Sequence, residues 1–373
     1  MELINFDNAA TTFPKPPSVI RAAQEAAQTL GGNAGRGGHA LALRSSEAVF
    51  SARETVAELF GAEPENVVFA LNCTHALNLA IHGIMSGGGH MIISSLEHNS
   101  AARPAAALAQ EGRISLSVAR VYPDPDRTVE SFRRLIRRDT RAVVCTMASN
   151  VTGQILPIGR IAELCAGRGI CLIADGAQAC GVLEVRLSGI NILCTAGHKG
   201  LYGLSGTGLL ISDGRFPIKP LIQGGTGTSS ASLIQPSLLP ESLESGTLNI
   251  PGIMSLKAGA EFVLSKGIAN IAAHEEAVCR AFLQELGGFD RVRIYRSPGA
   301  DHVPIVSFNV EGIPPEKVSA ALSEKGFCLR AGLHCAPLAH DTNGTKNGTV
   351  RFSPSVFSRT QDAVRLAEKI KEL

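Results

Sequence analysis

The chain has 373 residues, 45% hydrophobic and 18% charged, a balance that excludes a disordered polymer and leaves room for a large core. Its 35 basic and 33 acidic side chains nearly cancel, so there is no electrostatic case for a nucleic acid or an anionic membrane as partner. No apolar run is long enough to span a bilayer, and the length points to two domains or one large α/β domain with an appendage.

The first residues, Met1-Glu2-Leu3-Ile4, lack the basic-then-apolar layout of a secretion leader, so a cytoplasmic setting is expected. Residues 14–32 have helical spacing, 31–38 is a glycine-rich loop, and 45–60 is an amphipathic helix closed by Gly61. Strand-like runs come next at 67–71, 91–95, 114–119, 142–147, 170–174, 192–195 and 208–212. Helical stretches lie between most of them, such as 74–85, where Leu77, Ala80, Ile81 and Ile84 share a face. This alternation predicts a mainly parallel sheet covered by helices on both faces, with ligands at the carboxyl ends of its strands.

Beyond residue 251 the alternation loses its regularity. Helices are expected at 255–266 and 270–286, strands at 292–295 and 303–310, and a helix at 315–325. Residues 330–348 read as a loop, with 341–348 a mobile surface segment, before a short strand at 349–353 and a helix from Thr360. The pattern fits a smaller α+β domain. The expected division is a large domain over 15–252 and a small one formed by 1–14 with 253–373.

Nine cysteines are scattered singly, with no Cys-x-x-Cys pair, so no metal site is expected and a reducing compartment is the simplest home. Cys145, Cys171 and Cys194 lie inside strand-like runs, where a cysteine is usually a small buried hydrophobe. Cys335 differs. It sits in Arg330-Ala331-Gly332-Leu333-His334-Cys335-Ala336-Pro337, where two side chains able to carry positive charge, Arg330 and His334, are expected to favour its nucleophilic form.

Four other places carry candidate chemistry. Lys199, in Gly197-His198-Lys199-Gly200, ends a strand-like run; such an amine is either a surface lysine in a turn or one that binds a carbonyl cofactor. Asp175 ends the preceding run and is either a helix N-cap or the partner of a protonated ring nitrogen. The turn Asn72-Cys73-Thr74-His75 opens a helix, with Thr74 a ready N-cap and the helix end a seat for a monophosphate. No dinucleotide or triphosphate fingerprint occurs. His98 comes after the run at 91–95 and is either a solvated histidine or a flat ring against an aromatic cofactor. Arg351 offers a two-pronged grip on a substrate carboxylate, or forms an ordinary ion pair.

These segments together resemble the pyridoxal-phosphate cysteine desulfurases of the class V aminotransferase superfamily, in the group with an R-x-G-x-H-C-A cysteine loop. The resemblance runs nearly end to end. It is carried by Asp7-Asn8-Ala9-Ala10-Thr11-Thr12, Thr74-His75-Ala76-Leu77-Asn78, Glu97-His98-Asn99-Ser100 and Ser149-Asn150-Val151-Thr152-Gly153. It continues through Asp175-Gly176-Ala177-Gln178, Gly197-His198-Lys199-Gly200, Glu244-Ser245-Gly246-Thr247-Leu248-Asn249, the Cys335 loop and Val350-Arg351-Phe352-Ser353. Singly each is a weak signal; in this order they are specific.

The resemblance implies an α/β fold type I enzyme with a seven-stranded, mainly parallel sheet, acting as a homodimer. By that likeness Lys199 holds pyridoxal 5'-phosphate and shuttles protons at the substrate Cα. Asp175 keeps the ring nitrogen protonated, Gln178 bonds the ring oxygen, His98 stacks on the ring, and Asn150 contacts cofactor or substrate. Thr74 and His198 hold the phosphate, with Cys73 beside them and Thr247 reaching in from the second subunit. Arg351 binds the carboxylate of L-cysteine, and Cys335 takes its sulfur as a persulfide, leaving L-alanine. The sulfur would pass to a protein or small thiol for iron–sulfur assembly or another thiolation. The chain departs from the family at Ala196, where a serine hydroxyl is common, and at Leu333, where histidine is frequent. A selenocysteine lyase or related β-lyase, and a non-catalytic cofactor-binding or sulfur-relay protein, are the alternatives.

Overall fold

Continuous apolar runs bury both faces when they pair side by side, and that is what the strand-like segments do. A computed structural model describes residues 3–35, 37–228 and 230–373. After a short strand β1 (Ile4–Asn5) come helices α1 (Pro17–Thr29) and α2 (Ala40–Phe60). Helix α2 starts before the expected residue 45 because the His39 ring accepts the Ala42 N–H and caps it, and it ends at Gly61 in the left-handed region at φ 64°.

The alternating section then reads β2 (Val67–Ala70), α3 (Cys73–Ile84), β3 (His90–Ser94), α4 (Asn99–Gln110), β4 (Ser115–Ala119) and α5 (Pro125–Leu135). It continues with β5 (Thr140–Thr146), α6 (Ile158–Ala166), β6 (Cys171–Asp175), β7 (Ile192–Ala196) and β8 (Gly208–Ser212). These strands form a seven-stranded sheet in the order β2-β8-β7-β6-β5-β3-β4. Its core pairs are parallel, and β8 alone runs against its neighbours β7 and β2. One apolar layer, with Val56, Phe60, Phe132 and Ile161, covers one face. Leu77, Ile81, Ala105 and Leu108 of α3 and α4 cover the other. Each fully buried Val, Leu, Ile or Phe among them stabilises the fold by roughly 1.5–3 kcal/mol.

The remaining elements are α7 (Ile250–Lys266), α8 (Ile268–Leu286), β9 (Val292–Ile294), β10 (Val306–Val310), α9 (Pro315–Glu324) and β11 (Phe327–Cys328). The last are β12 (Arg330–Gly332), α10 (Pro337–Asn343), β13 (Thr349–Phe352) and α11 (Thr360–Lys371). Strands β12, β13, β10 and β9 form an antiparallel sheet whose own core contains Phe282, Phe308, Phe352 and Leu366. Phe282 stacks on Phe352 with ring centroids 4.2 Å apart. The N-terminal strand joins this second body, since β1 pairs with β11. The cores do not divide at residue 252, however. Ile253, Leu256 and Val263 of α7, and Ile271 of α8, lie in the core of the large sheet.

Residues 330–348 are not a loop. They hold β12 and α10, the latter opened by Pro337 and closed by Gly344 at φ 68°. The expected mobile segment 341–348 is tied down: Thr345 is buried, and the His340 Nδ1–H donates to its carbonyl at 2.9 Å.

Candidate active site

Strands β6 and β7 are parallel neighbours, with Asp175 opposite Cys194, so their carboxyl ends open onto the same crevice. Lys199 sits in the turn beyond β7. That turn passes so close to the one after β6 that a Cβ on Gly181 would lie 2.0 Å from the Gly200 carbonyl oxygen, and Gly181 adopts φ 87°. Only glycine fits there. The Tyr202 N–H donates to the Lys199 carbonyl at 2.8 Å, and Tyr202 itself takes φ 57° to do so.

Helix α3 points its N-terminus into the crevice. Its cap is Asn72, whose side chain accepts the His75 N–H at 2.9 Å, so Thr74 is not the cap. Thr74 is left exposed at the mouth of the helix, with its hydroxyl free for a ligand. The Cys73 thiol lies 3.5 Å from Asp175 Oδ1, which also accepts the Ala177 N–H at 2.9 Å. Asp175 thus leads into a turn and caps no helix. Burial pushes the Cys73 thiol well above its ordinary pKa, so it acts as a neutral donor.

Burial lowers the Lys199 amine below its ordinary value, with Cys73 and Asp175 opposing the shift. A lowered pKa leaves more of the amine unprotonated, and that is the form that attacks a carbonyl. His98 caps α4, its Nδ1 accepting the Ser100 N–H at 3.1 Å, and burial draws it down to about 4. It is a neutral, flat wall. His198 is likewise drawn down to about 4 by burial, with Lys199 and Lys15 adding to the shift.

The opposite wall comes from the second body. Arg351 is 1% exposed, and its guanidinium donates to Asp7 Oδ1 at 2.7 Å and to the Asn150 carbonyl at 3.0 Å. Its Nε is buried without a partner. Asn150 donates to the His334 carbonyl at 2.8 Å, and Gln178 to the Ala9 carbonyl at 3.0 Å. Thr74, His98, Asn150, Asp175, Gln178, His198, Lys199 and Arg351 all line one cleft of about 330 Å³.

Cys335 stands at the rim of that cleft, not in its wall. Its Sγ accepts from the Arg330 guanidinium at 3.3 Å, and Arg330 lines the cleft. The thiol opens on its other side into a largely apolar groove with Leu333, Val118 and Leu338. His334 and Cys335 take φ of 47° and 56°, two successive left-handed residues that hold the thiol outward between buried neighbours. The expected charge on His334 is absent. Its Nε2–H donates to the Thr349 carbonyl at 3.0 Å, and burial draws it down to about 2. Of the two expected cations, Arg330 is the one that carries charge beside the sulfur.

Thr247 is exposed and does not line the cleft of its own chain. Two participants had no role in the sequence analysis. Asp7 belongs to a family-like motif, but its pairing with Arg351 was invisible. Glu97 is fully buried; its Oε1 accepts from the Ser94 hydroxyl and from the Thr146 N–H at 2.7 Å, and burial pushes it up to about 8. Among the described residues no group of three or more potential ligands forms a metal site, and no helix is long and apolar enough to cross a membrane.

The chain is similar to known proteins over its whole length. The profile of the class-V aminotransferase family matches residues 4–366. A probable cysteine desulfurase of Methanothermobacter thermautotrophicus is 30% identical over 98% of this chain and 94% of that protein. Another, from Aeropyrum pernix, is 31% identical over 100% of this chain and 94% of that protein. The solved apo structure of a cysteine desulfurase from Thermococcus onnurineus NA1 superposes with a TM-score of 0.92 at 28% identity, covering 99% of this chain and 94% of that one. With the sheet order, the strand-end lysine and the matched length all in agreement, the chain belongs to the class-V aminotransferase family.

Proposed function

We propose that the protein is a pyridoxal-phosphate-dependent cysteine desulfurase that converts L-cysteine to L-alanine and carries the sulfur on Cys335. The observation that carries this reading is the single cleft joining Lys199, Asp175 and Arg351, with the Arg330-bonded thiol of Cys335 at its rim. Two relatives named as probable cysteine desulfurases and a solved cysteine desulfurase of the same fold support the same assignment.

The residues present fit the cofactor. A 330 Å³ cleft suits a ring of that size. His198 Nδ1 is buried without a partner, and the open end of α3 with Thr74 offers donors to a phosphate. Asp175 supplies a carboxylate for a ring nitrogen, and neutral His98 a flat surface. Ala196 brings no hydroxyl, so the helix end and His198 are the groups that would hold the phosphate. When bound, pyridoxal phosphate supplies an electron sink for charge that develops at the substrate Cα.

The protein's own groups do the rest. Lys199, which lines the cleft, would hold the cofactor, and its amine stands where it could move a proton at the substrate Cα. The unpartnered Nε of Arg351 receives the substrate carboxylate and fixes its orientation. At Cys335 the thiolate attacks the substrate sulfur: an S–S bond forms, the C–S bond breaks, and its electron pair stays on Cβ. A proton then completes the methyl group of alanine. Arg330 holds the attacking sulfur at the cleft rim.

The active form is a homodimer in which Thr247 completes the partner's phosphate site. The exposed Leu221, Ile222, Leu233, Ile234 and Leu238 on the segment leading to Thr247 support a protein-covered face there. The persulfide passes to a protein or small thiol in the cytoplasm, for iron–sulfur assembly or another thiolation. Incubating the protein with pyridoxal phosphate and L-cysteine, with and without a thiol reductant, tests the reading. Alanine should form in both cases, with sulfide released catalytically only when reductant is present; no alanine in either case would refute it.

A further inference from the structure

The segment Thr11–Lys15 converges on one carbonyl, that of His198, in the peptide that precedes Lys199. The Thr12 N–H donates to it at 3.1 Å, the Thr11 hydroxyl at 3.1 Å, the Thr12 hydroxyl at 3.2 Å and the Lys15 ammonium at 2.8 Å. The Thr12 hydroxyl also reaches the Lys199 carbonyl at 3.1 Å, and Lys15 Nζ donates to that hydroxyl at 2.7 Å. Among the described residues, every donor to the His198 carbonyl comes from this segment. A carbonyl oxygen has two lone pairs, so four donors compete for it, and the charged one makes the strongest bond.

Lys15 has no carboxylate partner among the described residues: it bonds the His198 carbonyl and the Thr12 hydroxyl. Burial draws its ammonium down to about 8, so at neutral pH it remains charged against a backbone oxygen. Lys15 itself does not line the cleft. The far side of the Lys199 turn has no slack, because Gly181 presses on Gly200. The near side is therefore set by what holds the His198 carbonyl.

We propose that Lys15 is a positioning residue for Lys199: with Thr12 it fixes the peptide between His198 and Lys199, and so the direction from which the Lys199 amine enters the cleft. This rests on the reading that Lys199 holds pyridoxal phosphate. It assigns a task to the N-terminal motif, which touches no reacting atom through these residues.

The test compares wild type with Lys15→Met, Lys15→Arg and Thr12→Val. Pyridoxal phosphate affinity is read from visible absorption, alanine formation gives kcat and KM for L-cysteine, and thermal unfolding gives Tm. Lys15→Met should bind pyridoxal phosphate about tenfold more weakly and lose about tenfold in kcat, with KM within about twofold, as expected for loss of one charge-assisted bond. Its Tm should stay near that of wild type. Lys15→Arg should return both quantities to within about threefold, since its guanidinium also donates to a carbonyl. Thr12→Val should move them in the same direction by less. Wild-type affinity and kcat in Lys15→Met would overturn the inference. So would losses in Lys15→Met that merely track a lowered Tm and are not recovered by arginine. A wild-type protein that never gains visible absorption would instead overturn the cofactor reading beneath it.

Discussion

The guanidinium of Arg351 and the carboxylate of Asp7 meet at 2.7 Å across 344 positions of sequence. The pair fixes a buried cation at the edge of the cleft while leaving its Nε without a partner. A planar fork can serve Asp7, Asn150 and an incoming carboxylate together, whereas an ammonium is a point donor. Arg351→Lys should therefore raise KM for L-cysteine at least about tenfold while kcat falls by no more than about threefold. Steady-state alanine formation measures both.

Cys335 is exposed and lies outside every core, so replacing it should cost function and not stability. Cys335→Ser should lower alanine formation from L-cysteine by at least about a hundredfold, with pyridoxal phosphate binding and Tm unchanged. Arg330→Gln removes the donor 3.3 Å from the sulfur. It should slow alkylation of Cys335 by iodoacetamide about threefold or more at neutral pH. His334→Gln should change the rate of that alkylation at neutral pH little, because burial already keeps His334 neutral there.

Glu97 ties stability to pH. Its native pKa is raised from 4.5 to about 8 by burial, so between those values the folded protein holds a proton that the unfolded chain has released. Stability from this group is thus largest at low pH and falls as pH rises from about 4.5 through 8, by a few kcal/mol at most. Glu275, also raised to about 8 by burial, adds a slope of the same sign. Glu97→Gln keeps the shape of the neutral acid and removes its share. Denaturant unfolding at pH 6 and pH 9 should show a smaller loss in the variant than in wild type; an equal loss would refute the assignment.

Gly181→Ala places a methyl group 2.0 Å from the Gly200 oxygen at a φ of 87°. Neither backbone can yield without moving Lys199 or the turn after Asp175. The substitution should destabilise the protein by about 3 kcal/mol or more and abolish visible absorption on addition of pyridoxal phosphate. Urea unfolding and the absorption titration check the two effects separately.

The central sheet was readable because most of its strands are buried on both faces and appear as short, largely apolar runs. Asp175 and Lys199 stood out for a related reason: Asp175 ends such a run and Lys199 sits in the turn that leaves one. Helix α10 was missed because seven residues are too few to display a helical period, although Pro337 and Gly344 marked both its ends. Asn72 and Thr74 are both good caps, and only the backbone chooses between them. The neutrality of His334 depends on burial against Thr349, which nearness to Cys335 in sequence could not reveal. The contacts of Asp7 and Lys15 are long-range, so no local pattern could show them. The packing of α7 could not be read from its place in the chain, because it carries apolar residues for the large core while coming after that sheet's last strand.

The cysteine is moored at both ends to different bodies. On one side Arg330–Gly332 is a strand of the antiparallel sheet, and on the other Ala336 and Ala339 are packed into the core of the large one. The Cys335 carbonyl is itself held by the Asn99 N–H at 2.7 Å. A thiol fastened this way has little tether to pay out. On the role proposed for Cys335, such a thiol would not ferry sulfur across the surface as a long arm would, and an acceptor would have to come to the rim to meet it.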